Sequence, residues 1–195
     1  DLVVSHRECI PVGPVLFERL VTWQRPFVLI YDDALFIVKS STTNKLFDWF
    51  KSAKRYPAIF KLADLTIGAN DYLAATATEL GGKGRALRVG EDLSRYTARK
   101  PKADGSITLG WVGSPSTEKY LELIRVPLES IGKRHPNAKL IVVGGGKFQL
   151  DHLTVEHRAW QMETELQNLH DIDIGLMPLP QDDWSLGKSG GKARL

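Results

Sequence analysis

Glycine and hydroxyl-bearing residues are concentrated in one short segment, Gly110-Trp-Val-Gly-Ser-Pro-Ser-Thr117. Glycines let the backbone approach a phosphate group closely, and the hydroxyl groups of Ser114, Ser116 and Thr117 add hydrogen-bond donors. A helix that begins directly after the segment would contribute unpaired N–H groups and a partial positive charge. The segment has neither P-loop spacing nor that of Gly-x-Gly-x-x-Gly. It is consistent with a phosphate-binding loop and equally with a tight strand-to-helix turn that Ser116 or Thr117 caps.

A second glycine cluster, Gly144, Gly145 and Gly146, follows another apolar run one strand–helix–strand unit later. Ligands of open α/β sheets bind at the carboxyl ends of the strands. We therefore expect both glycine loops to open on the same edge of one sheet. Taken alone, a glycine turn after a strand is common and carries little information.

The segment Asp182-Asp-Trp-Ser-Leu-Gly-Lys-Ser-Gly-Gly-Lys192 combines two carboxylates, an indole and two ammonium groups. A lysine beside glycines is a compact charge that suits a diphosphate, which indicates Lys188 and Lys192. The carboxylates of Asp182 and Asp183 could bind sugar hydroxyls. The alternative is a solvated tail.

Charged pairs follow two strand-like runs near the start of the chain. Asp32 and Asp33 could form a metal pair, supply a general base or cap a helix. His6 and Arg7 could face a ligand or form a salt-bridged strand end. The five histidines lack the spacing of His-Glu-x-x-His, no nucleophile elbow is present, and Cys9 is the single cysteine. The sequence therefore predicts no histidine or cysteine metal cluster and no internal disulfide.

The remaining sequence alternates strand-like and helix-like patterns. Strands are predicted over 2–5, 26–31, 63–67, 87–89, 106–112, 139–143 and 172–177, and helices over 15–23, 42–54, 72–80, 118–135 and 160–168. Tyr56-Pro57 is expected to close the second helix, and Pro127 to kink or break the fourth. This alternation predicts an α/β fold with parallel sheets. A polar, basic stretch predicts a linker over 95–105 between a domain at 1–94 and one at 106–195.

Composition places the chain among ordinary globular proteins, with 43% hydrophobic and 25% charged residues and a net charge of +3. No run approaches the ~20 apolar residues that span a bilayer, and no signal peptide opens the sequence, so a cytoplasmic protein is expected. The mild charge does not argue for nucleic acid. Basic residues such as Lys51, Lys54 and Arg55 could touch anionic lipid, giving peripheral membrane contact, or form a solvated helix face.

Several motifs occur together in a specific order. They are Tyr31-Asp-Asp-Ala-Leu-Phe36, Ala63-Asp-Leu-Thr-Ile-Gly-Ala-Asn-Asp-Tyr-Leu73, Gly110–Thr117, Leu140-Ile-Val-Val-Gly-Gly-Gly146, Asp173-Ile-Gly-Leu-Met-Pro-Leu-Pro180 and Trp184-Ser-Leu-Gly-Lys188. In this order the series resembles the bacterial-type glycosyltransferases of family 4, also called group 1, which have the GT-B fold. The resemblance covers nearly the whole chain and implies two Rossmann-like domains, each incomplete, in a chain truncated at both ends.

The resemblance implies retaining transfer of a sugar from a UDP- or GDP-sugar to a glycan or lipid-linked acceptor, without a cofactor or catalytic metal. Asp32 falls where many members carry a histidine that meets donor and acceptor, and Lys188 lies in the stretch facing the sugar and diphosphate; both would be catalytic. His6, Arg7 and Asp33 would lie on the acceptor side. The implied donor-binding residues are Gly110, Trp111, Gly113, Ser114, Gly144, Gly145, Gly146, Asp182, Asp183 and Lys192.

The sequence departs from the family pattern in the diphosphate loop. Trp111 and Thr117 stand where many members have arginine and lysine, although Lys119 is near. We expect Lys188 to supply the missing charge. The family's usual pair of spaced glutamates is not found. A catalytically incomplete nucleotide-binding module and a sugar-nucleotide epimerase therefore remain alternatives.

Overall fold

Parallel strands form two separate four-stranded sheets, as the alternating sequence pattern predicts. The structure, a computed structural model, describes residues 1–10, 15–34, 36–37, 55–88, 90, 94, 96 and 105–188. The predicted helix over 42–54, most of the predicted linker, and the candidates Lys51, Lys54 and Lys192 lie outside the described residues. Within the described ranges, no helix has the length and apolar character that crossing a membrane requires.

The first sheet has the order β1-β2-β3-β4, formed by Val3–His6, Phe27–Tyr31, Leu65–Gly68 and Gly84–Ala86. Its helices are α1 (Leu16–Val21), α2 (Arg55–Leu62) and α3 (Asp71–Glu79). Strand β2 is central, and its alternate residues Phe27, Leu29 and Tyr31 are almost fully buried in the core. The side chain of Asn70 caps α3 by accepting a 2.8 Å hydrogen bond from the N–H of Leu73.

The second sheet has the order β7-β6-β5-β8, formed by Thr154–Arg158, Lys139–Val143, Thr108–Val112 and Ile174–Gly175. A 3₁₀ helix over Glu118–Ile124 leads into α4 (Arg125–Arg134), and α5 covers Glu165–Asp171. Residues 140–143 are all buried, which explains the continuous apolar run of β6. The carboxyl ends of β5 and β6 lie side by side, because the two strands are parallel and pair from Thr108–Lys139 to Val112–Val143.

Two proline predictions differ from the structure. Pro57 lies in the first turn of α2 and does not end a helix there. Pro127 occupies the first turn of α4, after the 3₁₀ segment, instead of breaking a continuous helix. First-turn N–H groups have no partner within the helix, so proline is tolerated at these positions.

Two strands also differ from prediction. Strand β7 was not predicted, because its sequence Thr-Val-Glu-His-Arg is polar and it lies at the edge of its sheet. A strand was predicted over 87–89, but the observed strand β4 ends just before this segment, at Ala86. Both are edge strands, where a polar sequence is common and apolar periodicity is weak.

The described residues separate into two units, one of 1–90 with 181–188 and the other of 94–180, each with the gaps given above. The sequence predicts that 181–188 belong to the second domain, but these residues contact the loops that follow β2 and β3 of the first unit. The Asn70 amide donates a 3.0 Å hydrogen bond to the Leu186 carbonyl, and Gly187 lies so close to Ala34 that a Cβ would overlap it. Helix α6 (Asp183–Leu186) therefore belongs to the first unit.

Arg55 is buried inside the first unit, not at a lipid-facing or solvated helix surface as the sequence suggested. Its side chain is 5% exposed and forms an ion pair with Glu18, whose side chain is 1% exposed. Burying one of these charges without the other would be very unfavourable. Because Arg55 is buried and paired, it is not available to bind anionic lipid.

Candidate functional site

The two glycine loops of the second unit meet at the carboxyl edge of its sheet. The N–H of Gly113, after β5, donates a 3.0 Å hydrogen bond to the Val143 carbonyl at the end of β6. Gly144 has a φ of +83°, and a Cβ at this residue would overlap the Gly113 carbonyl oxygen. The two backbones are therefore in direct contact, as the strand-end rule predicts.

A cleft of about 380 Å³ opens beside this contact. It is lined by Val112, Gly113, Ser114, Pro115, Gly144 and Trp160. Gly113, Ser114 and Gly144 were singled out in the sequence, whereas Trp160 was not. Trp160 is 46% exposed and lies just beyond β7, and the carbonyl of Arg158 in that strand accepts a 2.9 Å hydrogen bond from the Gly144 N–H. Recognising β7 in the sequence would have placed Trp160 at the same sheet edge.

Hydroxyl groups cluster at the outer part of the first loop. The Ser114 hydroxyl lies 2.9 Å from that of Ser116 and 3.2 Å from that of Thr117. The Thr117 hydroxyl donates a 3.0 Å hydrogen bond to the Ser114 carbonyl, so it also closes the turn. Within the part of the chain that the structure describes, the N–H groups of Ser116 and Gly145 have no protein acceptor. The loop thus combines a structural turn with donors that an anion could use.

Two predicted donor-binding residues, Gly110 and Trp111, do not line this cleft. Gly110 lies within β5, where a Cβ would overlap the side chain of Ile172. Trp111 is 4% exposed and belongs to the core of the second unit. Both residues therefore serve packing, because their neighbours leave no room for a ligand at these positions.

Residues 146–148 direct their backbone N–H groups at the side chain of Glu118. One carboxylate oxygen of Glu118, Oε1, accepts hydrogen bonds of 2.8, 2.9 and 3.0 Å from Gly146, Lys147 and Phe148. Although burial works against ionisation, these hydrogen bonds lower the pKa of Glu118 below its usual value. The predicted use of Gly146 in donor binding is corrected accordingly, since its N–H is already engaged.

The helix after the first glycine loop is weaker than predicted. It starts as a 3₁₀ helix of seven residues with Thr117 at its N-cap, and the α-helix proper begins at Arg125. The macrodipole effect is confined to the first turn of a helix. The partial positive charge that this helix places near Ser114 is therefore smaller than the charge that an α-helix starting there would supply.

The charged pairs at the edge of the first sheet bind each other. Arg7 donates hydrogen bonds of 2.9 Å to Asp32 and 3.0 Å to Asp33, and His6 lies 3.6 Å from Asp32. Burial lowers the pKa of Arg7, but the hydrogen bond with Asp32 and the negative charge of Asp32 raise it. The net result is a pKa above the usual value for arginine. Arg7 holds a left-handed φ of +65°. This geometry is the salt-bridged strand end that the sequence left open, and Arg7 partly neutralises both carboxylates.

Residues 182–188 add a second group of polar side chains to the first unit. Asp182 caps α6 by accepting a 2.7 Å hydrogen bond from the Ser185 N–H. Burial of Tyr72, the negative charge of Asp183 and the hydrogen bond between these two side chains raise the pKa of Tyr72. The Lys188 ammonium lies 4.6 Å from the centre of the Trp184 ring. Asp182 and Asp183, predicted to bind the donor, thus have structural partners within the first unit.

Comparison with known proteins gives no match to a family profile and none to a curated protein. Solved structures do match. TarM aligns with a TM-score of 0.53 at 10% identity over 89% of this chain, and sucrose-phosphate synthase from Thermosynechococcus elongatus with 0.53 at 14% over 85%. Both are glycosyltransferases. The fold is GT-B.

A third GT-B structure is an S. aureus TarM variant in complex with Fondaparinux, alpha-GlcNAc-glycerol and UDP, with a TM-score of 0.50 at 12% identity over 84% of this chain. This chain covers 35%, 48% and 34% of the three matched chains. It therefore spans about a third to a half of their length.

Proposed function

We propose that this chain is part of a sugar-nucleotide-dependent glycosyltransferase whose second unit binds the donor. The observation that carries the proposal is the cleft beside the contact of Gly113 and Gly144, in a chain with the GT-B fold. Its position at the carboxyl edge of a parallel sheet is where α/β proteins bind nucleotides. The UDP in the matched TarM complex supports a nucleoside diphosphate as the ligand.

The donor diphosphate is assigned to the outer part of the first loop. Here the Ser114 and Ser116 hydroxyls lie together, and the exposed N–H of Ser116 has no acceptor among the described residues, so it can donate to a phosphate oxygen. The nucleobase is assigned to the indole of Trp160, because stacking on an aromatic ring suits any base. A UDP- or GDP-sugar therefore remains the proposed donor class, and a glycan or lipid-linked hydroxyl the proposed acceptor.

We propose that the chemical step retains the anomeric configuration and needs no metal. Asp32 and Lys188 of the first unit remain the proposed catalytic residues. A lysine can stabilise the negative charge on a departing diphosphate, an effect worth ~3 kcal/mol for one donor. The hydrogen bond from Arg7 holds the Asp32 carboxylate in place, which suits Asp32 to orienting an acceptor hydroxyl. His6, Arg7 and Asp33 stay on the proposed acceptor side.

Replacing Trp160 with alanine is expected to weaken UDP or GDP binding about ten- to a hundredfold, the usual loss when a stacking ring is removed. Isothermal titration calorimetry measures this directly. Trp23→Ala is the matched control, because Trp23 is an exposed tryptophan of the first unit. Equal affinities for wild type and Trp160→Ala would remove the indole from the donor site.

Replacing Lys188 with alanine is expected to lower kcat about a hundredfold, because the ammonium would no longer stabilise the leaving diphosphate. Steady-state assays with UDP- and GDP-sugars and a panel of acceptors measure it. Lys83→Ala removes an exposed lysine of the same unit and should leave the rate unchanged. Unaltered kinetics in Lys188→Ala would exclude the proposed role.

One observation favours the alternative of a nucleotide-binding module without turnover. Trp111, at the position where the resembled family has an arginine, is buried, so no cation is supplied there. Calorimetric binding of UDP or GDP without any transfer or hydrolysis would support this alternative. Product analysis in the absence of acceptor separates an epimerase, which would convert the donor sugar itself.

A further inference from the structure

We propose that Glu118 is a positioning residue, which fixes the second glycine loop in the shape that binds the donor. This role rests on the proposed function. Glu118 does not line the cleft, and it is 6% exposed. Its carboxylate oxygen Oε1 accepts three consecutive backbone N–H groups, those of residues 146–148.

The three N–H groups require an acceptor that carries no hydrogen of its own. An ionised carboxylate offers such an acceptor oxygen with a negative charge, whereas a glutamine amide offers a neutral oxygen and replaces the second oxygen with an N–H donor group. Hydrogen bonds to a charged acceptor are also roughly twice as strong as neutral ones. Gly145 leaves room for the carboxylate, because a Cβ there would lie 2.6 Å from Glu118 Oε1.

The position of Glu118 in the chain connects the two sides of the cleft. Glu118 follows directly after Ser114–Thr117, and its N–H donates a 3.2 Å hydrogen bond to the Ser114 carbonyl. The N–H groups that it binds begin at Gly146, two residues after Gly144. One side chain therefore joins the loop after β5 to the loop after β6. A loop ordered before binding loses less conformational entropy when the ligand arrives, so affinity rises.

Glu118→Gln and Glu129→Gln form a matched pair of variants. Glu129, on α4, likewise accepts backbone hydrogen bonds, of 2.8 Å from Asp151 and 2.9 Å from His152, but the cleft lining contains neither of these two residues. Each substitution replaces a carboxylate that accepts backbone hydrogen bonds from a loop of the second unit with a neutral amide. A general loss of stability therefore affects both variants, whereas the positioning role affects Glu118→Gln alone.

The full chain is titrated with UDP and with GDP by calorimetry, and amide hydrogen exchange is measured over residues 144–152. We expect Glu118→Gln to bind nucleotide about tenfold more weakly and to exchange the amides of 146–148 about tenfold faster. Glu129→Gln should accelerate exchange at 151 and 152 and keep the wild-type affinity. In turnover assays Glu118→Gln should raise KM more than it lowers kcat.

Wild-type affinity in Glu118→Gln, with accelerated exchange at 146–148, overturns the positioning role and leaves the proposed function intact. Equal loss of affinity in both variants overturns it as well, because the effect would then be one of stability. If wild-type protein binds neither nucleotide, the proposed function fails and the role of Glu118 in donor binding fails with it. The three results are distinguishable from one another.

Discussion

Gly144→Ala is expected to abolish nucleotide binding and to destabilise the second unit by about 2–5 kcal/mol. A residue with a Cβ pays about 1–2 kcal/mol for a left-handed backbone such as that of Gly144, with φ +83°. The Cβ would also overlap the Gly113 carbonyl, and overpacking of this kind costs about 1–3 kcal/mol. The contacting atom belongs to the backbone, so no side-chain rotation relieves the overlap.

Urea unfolding and calorimetric titration with UDP measure the two effects. Gly146→Ala is the matched control two residues away, because a Cβ there meets no atom within 4 Å. We expect its free energy of unfolding to stay within about 0.5 kcal/mol of wild type. Wild-type UDP affinity in Gly144→Ala would show that the contact between the glycine loops does not form the donor site.

Glu18→Gln is expected to destabilise the first unit by about 3–5 kcal/mol. The substitution keeps the size of the side chain but leaves the charge of Arg55 uncompensated in the interior, which is the costly half of a buried ion pair. In the described structure, Nε and Nη1 of Arg55 have no hydrogen-bond partner. The single interaction with Glu18 therefore carries most of the compensation.

Urea unfolding followed by circular dichroism measures the loss. Glu18→Leu combined with Arg55→Met removes both charges, and we expect it to approach or exceed wild-type stability, as apolar replacements of buried pairs often do. Arg19→Ala, an exposed change on the same helix, should shift stability by less than about 0.5 kcal/mol. A loss below about 1 kcal/mol in Glu18→Gln would contradict a buried, interacting pair.

The fold could be predicted where burial imposes a clear pattern on the sequence. The runs that became β2 and β6 are continuously apolar, because both faces of a central parallel strand are covered. Prediction failed at β7, where an edge position allows Thr154-Val-Glu-His-Arg158. It also failed at α2, whose Pro57 reads as a stop and is accommodated in the first turn.

The candidate site could be predicted to the extent that it follows from strand ends. Gly113 and Gly144 meet because their strands are parallel neighbours. Glu118 was not identified, because its partners are backbone N–H groups, which leave no mark in the sequence. Trp111 was assigned to the ligand, but its side chain points to the core. The alternation of faces along a strand, not the motif, decides that orientation.

The contact between Gly113 and Gly144 limits how the specificity of the cleft can be redesigned. Main-chain atoms form this contact, so a side chain added at Gly144 would displace a strand end. Among the other residues that line the cleft, Val112 belongs to β5, which leaves Ser114, Pro115 and Trp160 as the adjustable surface. A directed-evolution library aimed at new donor preference should therefore diversify those three codons and leave both glycines untouched.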